Sequence, residues 1–245
     1  MAAEGKTMDA LSQFELTPIV AGFSNANLYM LIAGVAISAL MLVGMRPRAR
    51  IPGRLQSLAE VSYEFIDGLV RDQIGHEGKK FFPFVFTLFM FILFGNMLGM
   101  LPYAFTFTSH IAVTFTLALV VFILVTAVAL AIHGLHFFGY FFPPGAPKAL
   151  APVIIPIEII SYLSRVVSLS VRLFANMVAG HVMLQVFASF IVMIGGLGAI
   201  GVVGALAPLA INVALVGFEF LVAFLQAYVF AVLTCIYLHD AVHLH

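Results

Sequence analysis

Four ionisable residues stand in apolar runs where charge is expensive: Glu158, Arg165, Arg172 and Glu219. An arginine near the centre of a bilayer costs roughly 2.5–3.5 kcal/mol on insertion scales, so the deepest of the four calls for a functional reason. Arg172 lies about twenty residues from either end of its apolar run, too far in for its side chain to snorkel out of a straight span. A guanidinium keeps its proton, so Arg172 reads as a fixed positive charge and not as a proton carrier. His181 and Glu219 are different, because they can exchange protons and each can be tuned by the other. Glu158, Arg165 and Arg172 recur every seven residues, with Ser161, Ser168, Asn176 and Ala179 filling the same stripe at spacings of three and four. One helix face is therefore small and polar, which suits close helix contact or an aqueous lining; a polar seam internal to the bundle is the alternative.

The elements that carry these residues follow from composition. The chain has 245 residues, 63% hydrophobic and only 9% charged, with a mean hydropathy of +1.14. A soluble domain with a charged surface is excluded, and lipid is the expected solvent. Formal net charge is zero, and without a long basic block no nucleic-acid partner is expected. Glu4, Lys6, Asp9 and Glu15 mix signs ahead of the first apolar run. A secretory signal would be basic there, so that run is expected to remain in the mature protein.

The spacing predicts an all-α integral membrane fold of about five transmembrane helices, near 27–45, 82–101, 111–133, 152–194 and 205–238. Residues 54–75 alternate Leu55, Leu58, Val61, Phe65, Leu69 and Ile74 with Glu60, Glu64, Asp67, Arg71 and Asp72. That pattern predicts an amphipathic helix at the interface, or one packed on a soluble subunit, and not a span. Arg46, Arg48, Arg50 and Arg54 close the first span, and Lys79, Lys80 and Lys148 fall on the same side. By the positive-inside rule that side is cytoplasmic, with the N-terminus outside and the C-terminus inside. Residues 1–26 are then an external segment and 27–245 a single membrane domain. At 1.5 Å per residue the last two runs reach roughly 65 and 50 Å, against a hydrocarbon core of about 30 Å. They are expected as a long, steeply tilted hairpin turning at the glycine-dense stretch of Gly195, Gly196, Gly198, Gly201 and Gly204.

A hairpin centred near residue 199 places Arg172 level with Gln226 and His181 close to Glu219. Gln226 can hydrogen-bond a guanidinium but cannot neutralise it, so the counter-ion of Arg172 is expected from another subunit. Arg172 and His181 are nine residues apart and point to opposite sides of one helix, so a relay between them must bend round by way of Asn176 or water. Cys235 reads as a small core residue, and one cysteine leaves no intrachain disulfide. His239 and His243 have metal-compatible spacing beside Asp240 and His245, but at an exposed terminus no metal and no cofactor are expected. His110, His133 and His136 are expected as interfacial histidines at loop edges.

The run Ser168-Leu-Ser-Val-Arg172-Leu-Phe-Ala-Asn176-Met-Val-Ala-Gly180-His181 resembles the signature of subunit a of the F-type ATP synthase, its membrane stator. Pro156-Ile-Glu158-Ile-Ile-Ser161, Gly95-Asn96-Met-Leu-Gly-Met-Leu-Pro102 and the segment Gln226 to Tyr237 are similar to the same family, over most of residues 50–238. The resemblance implies that Arg172 faces a ring of c subunits and keeps each passing carboxylate ionised, between an outer and an inner proton half-channel. Asn176, His181, Glu219 and Gln226 would border the outer half-channel, and Glu158 with Ser161 the inner one, with Arg165 and Ser168 secondary. It further implies peripheral-stalk b subunits and other synthase subunits as partners, and a bacterial inner membrane rather than a mitochondrial one. No catalytic site within the chain is implied. Some bacterial members carry the acid at the place of His181 and a histidine at that of Glu219; the order here is similar to mitochondrial and related bacterial forms.

Two other classes compete. A secondary transporter would use the intramembrane arginine to bind an anionic substrate, but the internal repeat it predicts is absent from the sequence. A membrane-embedded enzyme would use His181 and Glu219 as acid and base, but no nucleophile or metal cluster stands beside them.

Overall fold

The structure, a computed structural model, describes residues 18–20, 23–46, 52–101, 104–134, 137, 139 and 150–243. Arg48, Arg50, Pro102, His136, Lys148 and His245, the proline-rich return loop and most of the N-terminal segment lie outside them.

Two very short strands, β1 (Pro18–Val20) and β2 (Phe23–Ser24), pair antiparallel ahead of the first helix, a detail that hydropathy does not signal. The helices are α1 (Asn25–Gly44), α2 (Arg54–Ile74), α3 (Phe82–Gly99), α4 (Ile111–His133), α5 (Ala151–Gly195), α6 (Ala199–Gly204) and α7 (Leu206–Val242), with 3-10 turns at His76–Lys80 and Phe107–Ser109. Five helices are long and apolar enough to cross a membrane: α1, α3, α4, α5 and the stretch Ile200–Val242. Apolar length sets the ends of α3, α4 and α5 close to the sequence expectation. At the last helix the expectation stops short, because Tyr237, His239 and Asp240 look like a polar exit yet continue the helix to Val242.

The expected glycine turn is itself partly helical. Gly198 adopts φ 88°, a left-handed value that a side chain disfavours, and ends the break. The six-residue α6 then turns the chain before α7 begins.

The centre of the molecule is the second half of α7. Ala223, Ala227, Phe230, Ala231, Thr234, Cys235 and Leu238 are fully buried there at helical spacing, and α2, α3, α4 and α5 all pack on this helix. Small residues at 223, 227 and 231 let neighbouring backbones approach closely. The α5 helix is the opposite case: of its 45 residues it buries only the seam Tyr162, Val166, Leu169, Ser170, Leu173 and Met177. Leaving Ile157, Ile160, Leu163, Val167 and Val171 exposed on the other side is acceptable only if lipid or protein covers them.

The amphipathic helix α2 is where the expected face is corrected. Ala59, Ile66, Leu69, Val70 and Ile74 are buried, whereas Leu55, Leu58, Val61 and Phe65 remain exposed. Only the C-terminal part of the expected stripe meets the bundle, because the helix also carries Ala59 and Ile66 on a different line. Phe65 keeps ring contacts with Phe89, Phe224 and Tyr228 at centroid distances of 5.7–6.0 Å. Cys235, with no exposed surface, should resist maleimide labelling in the native membrane and react fully after denaturation; rapid native labelling would contradict this packing.

Candidate functional site

The site is built between α5 and α7, closed on a third side by the α3–α4 connection. His181 Nδ1 lies 2.5 Å from Glu219 Oε1, and both side chains are largely withdrawn from the surface, at 12% and 5% exposure. Gly180 makes this approach possible, since a Cβ there would stand 2.6 Å from Glu219 Oε1. The helix runs straight through this glycine, whose use is close packing and not a break. On its other nitrogen, His181 Nε2 is 2.8 Å from Thr106 Oγ1 and 3.2 Å from the Gly99 carbonyl.

About one and a half turns nearer the middle of α5, Asn176 Nδ2 donates to Gln226 Oε1 at 2.7 Å. The expected pairing of Arg172 with Gln226 is thus corrected. With α6 inserted in the turn, the hairpin centre lies one to two residues beyond 199, and Asn176 takes the amide. Arg172 is exposed. Its only hydrogen bond among the described residues is a long one, 3.5 Å from Nη2 to Ser168 Oγ, and among them no carboxylate forms an ion pair with it.

Two cavities flank the pair. The larger, about 930 Å³, is lined by Asn25, Tyr29, His181, Gln185, Asn212 and Glu219 among others. The second, about 410 Å³, is lined by Asn176, Ala179, Gly180, Glu219 and Gln226 with apolar neighbours. Glu219 belongs to both walls. Among the described residues, Glu219 Oε2 and Gln226 Nε2 are buried without a protein partner, as are Gln185 Oε1 and Asn212 Oδ1. Each of these atoms belongs to a residue lining a cavity of ample size for water, and buried polar groups left dry are costly. The arrangement is a polar column through an apolar hairpin, with the His181–Glu219 pair in its middle.

Residues 27–239 match the sequence model of the family described as ATP synthase A chain. The chain belongs to that family. It is 66% identical over its whole length, and the whole length of the relative, to the ATP synthase subunit a of Granulibacter bethesdensis. Identity is 58% to the protein of the same name from Acidiphilium cryptum, over 99% of this chain and 100% of the relative, and 51% to that of Rhodospirillum rubrum, over 96% and 98%.

The remaining sequence candidates spread along α5. Ser161 is exposed and Glu158 half-buried, and among the described residues Glu158 has no ion-pair partner. Arg165 sits apart from the column: its guanidinium is 3.4 Å from Asp240 and lies over the rings of Tyr237 and Tyr162, 4.9 and 5.6 Å from their centroids. That arrangement clamps α5 to the end of α7, and cation–π contact adds to the ion pair. His239 and His243 stack on each other, 4.7 Å between ring centres, and among the described residues no group of three or more potential ligands could hold a metal ion.

Sequence reasoning missed Gln185, Asn212 and Thr106. The first two were legible as polar residues one turn beyond His181 and two turns before Glu219 on the same faces; Thr106 sat in a stretch read only as a loop. A cysteine placed at Gln185 or Asn212 should react with a membrane-impermeant thiosulfonate in the assembled complex, because water must reach it to form the thiolate. One at Thr234, fully buried, should not; equal reactivity at all three would contradict a wetted cleft.

Proposed function

We propose that this chain is the proton-conducting stator subunit of a rotary F-type ATP synthase, in which two offset half-channels serve the carboxylates of a c-subunit ring and Arg172 is the fixed positive gate between them. What carries the reading is the contrast between Arg172 and the pair. A permanent charge is left on the exposed face of α5, among small and aliphatic side chains, with no ion-pairing carboxylate among the described residues, while His181 and Glu219 are largely withdrawn from the surface between two cavities.

The exposed face of α5 fits a partner that brings carboxylates in turn. An ionised carboxylate opposite Arg172 is stabilised by the guanidinium, and a carboxylate displaced from it into lipid takes up a proton. Arg172 never titrates, so it separates the two proton paths without joining them. The outer path would run from the wide cleft at Asn212 and Gln185, through His181 and Glu219, to the cavity at Asn176 and Gln226. The inner path would begin at Glu158 and Ser161. The chain then holds no catalytic site of its own. An anion-binding transporter would need further donors converging on Arg172, whereas the one hydrogen-bond partner of its guanidinium among the described residues, Ser168 Oγ, accepts.

On this reading residues 27–245 act as one membrane domain in a bacterial inner membrane, with the N-terminus outside and Arg46, Arg54, Lys79 and Lys80 on the cytoplasmic side. Peripheral-stalk b subunits and other synthase subunits are further partners, and the exposed apolar part of α2 is available to them or to lipid.

In inverted membrane vesicles, Arg172→Ala should lower ATP-driven acidification by on the order of a hundredfold or more with the complex still assembled. Normal pumping in that variant would overturn the reading. Gly180→Ala tests the pair separately: its methyl group would push Glu219 off His181, and pumping should fall on the order of tenfold, since displacement by about an ångström is costly in proton transfer.

A further inference from the structure

The α3–α4 connection holds His181 in a way that fixes which of its protons can move. Thr106 is buried, and its hydroxyl donates to the Gly99 carbonyl at 3.0 Å. With that single hydrogen committed, Thr106 Oγ1 presents a lone pair to His181 Nε2 at 2.8 Å, and the Gly99 carbonyl, which can only accept, presents another at 3.2 Å. An unprotonated ring nitrogen facing two acceptors would be repelled by both, so Nε2 must carry hydrogen.

Nδ1 is then the nitrogen that shares a hydrogen with Glu219. We propose that Thr106, together with the Gly99 carbonyl, is a positioning residue that locks the Nε2-protonated form of His181, so that the one mobile proton of the pair lies between Nδ1 and Glu219 Oε1. This rests on the reading that the pair carries protons. A proton arriving from the outer cleft is taken up on Glu219 Oε2, because Nε2 already carries hydrogen and Nδ1 and Oε1 share theirs, and the neutral pair becomes a His181 imidazolium beside a protonated Glu219 carboxyl. Glu219 then releases a proton from Oε2, which has no protein partner among the described residues, toward the cavity at Asn176 and Gln226, and the pair returns to its first state. One proton has entered and one has left, with no heavy atom required to move far.

The connection is itself anchored for this purpose. Thr108 Oγ1 donates to Asn96 Oδ1 at 2.8 Å, and Asn96 Nδ2 donates to the Ala223 carbonyl of α7 at 3.2 Å, one turn from Glu219. A Cβ at Gly99 would overlap the Thr106 hydroxyl, so the glycine is what lets Thr106 reach both partners. Around the pair, α1 brings Tyr29 to the outer cleft, and the α3–α4 connection brings His110, stacked on Phe105. The α3 helix carries no charged residue. Arg172 on α5 is nine residues from His181, and on α7 the next titratable side chain after Glu219 is Tyr228.

The test uses the assembled complex in lipid with ¹⁵N-labelled histidine, the His181 signals being identified by their loss in His181→Ala. Solid-state NMR should find Nε2 protonated in the wild type and in Thr106→Ser, with part of the His181 population shifting to the other tautomer in Thr106→Val, where the Gly99 carbonyl is left as the one acceptor at Nε2. Losing one acceptor removes a hydrogen bond from the imidazolium and so disfavours its protonated form. The pH profile of pumping should therefore move about half a unit to the acid side in Thr106→Val and recover in Thr106→Ser. A wild-type His181 protonated on Nδ1 alone would overturn the assignment, even if Thr106→Val fails to assemble. So would an unchanged tautomer in an assembled Thr106→Val. A changed tautomer with an unmoved pH profile would instead overturn the proton-carrying role of the pair and leave Thr106 where it is assigned.

Discussion

A guanidinium on an apolar surface is unstable without either water or a negative charge, and Arg172 has no carboxylate from its own chain among the described residues. Much of the rest of the structure follows from keeping that charge in place and uncompensated. The α5 helix must be long enough to hold Arg172 far from both ends, and at 45 residues it extends roughly 67 Å, more than twice a hydrocarbon core. It must also show one face outward, so it packs through a single seam. Support comes from α7, whose small buried residues let α2, α3, α4 and α5 gather round it. The other arginine of the stripe illustrates the difference. Arg165 is satisfied by Asp240 and two tyrosines and so reads as a structural clamp, although the two occupy equivalent places in a seven-residue repeat.

On the proposed reading, His181 and Glu219 obey a different constraint, because they must be shielded enough to tune one another yet wet enough to exchange protons. His181 and Glu219 meet both conditions by standing between two cavities, with Glu219 in both walls. The amides of Gln185, Asn212 and Gln226, each with one atom unpartnered among the described residues, continue the polar line on either side. Polar atoms left unpaired in an apolar hairpin are costly unless water visits them, so their alignment argues for a hydrated route. The geometric objection that Arg172 and His181 face opposite ways is met by Asn176, which reaches α7 at Gln226 from between them.

Much of this was legible in the chain itself. Hydropathy placed five helices because a span must satisfy its own backbone bonds in lipid, leaving little freedom in length. Arg172, His181 and Glu219 were visible because ionisable groups are rare in such runs. The register was nearly readable, and failed at Arg172 by about a turn because α6 could not be told from a simple glycine loop. What the sequence hid was long-range: that Asp240 reaches back to Arg165, that Thr106 reaches forward to His181, and that α2 turns Ile66 and Val70 inward in place of Leu55 and Leu58. Each depends on how helices rotate against one another, which periodicity alone does not determine.

The central claim is that the outward stripe of α5 meets a carboxylate-bearing partner which neutralises Arg172 in trans. Its most direct test is disulfide formation in the assembled complex, with one cysteine on α5 and the other beside the acidic residue of the c subunit. Cysteines at Ser168 or Ala175, both exposed and within a turn of Arg172, should cross-link to the ring in high yield, while those at the buried Leu169 or Leu173 should not. Cross-linking from the buried seam, or none from the stripe, would contradict it.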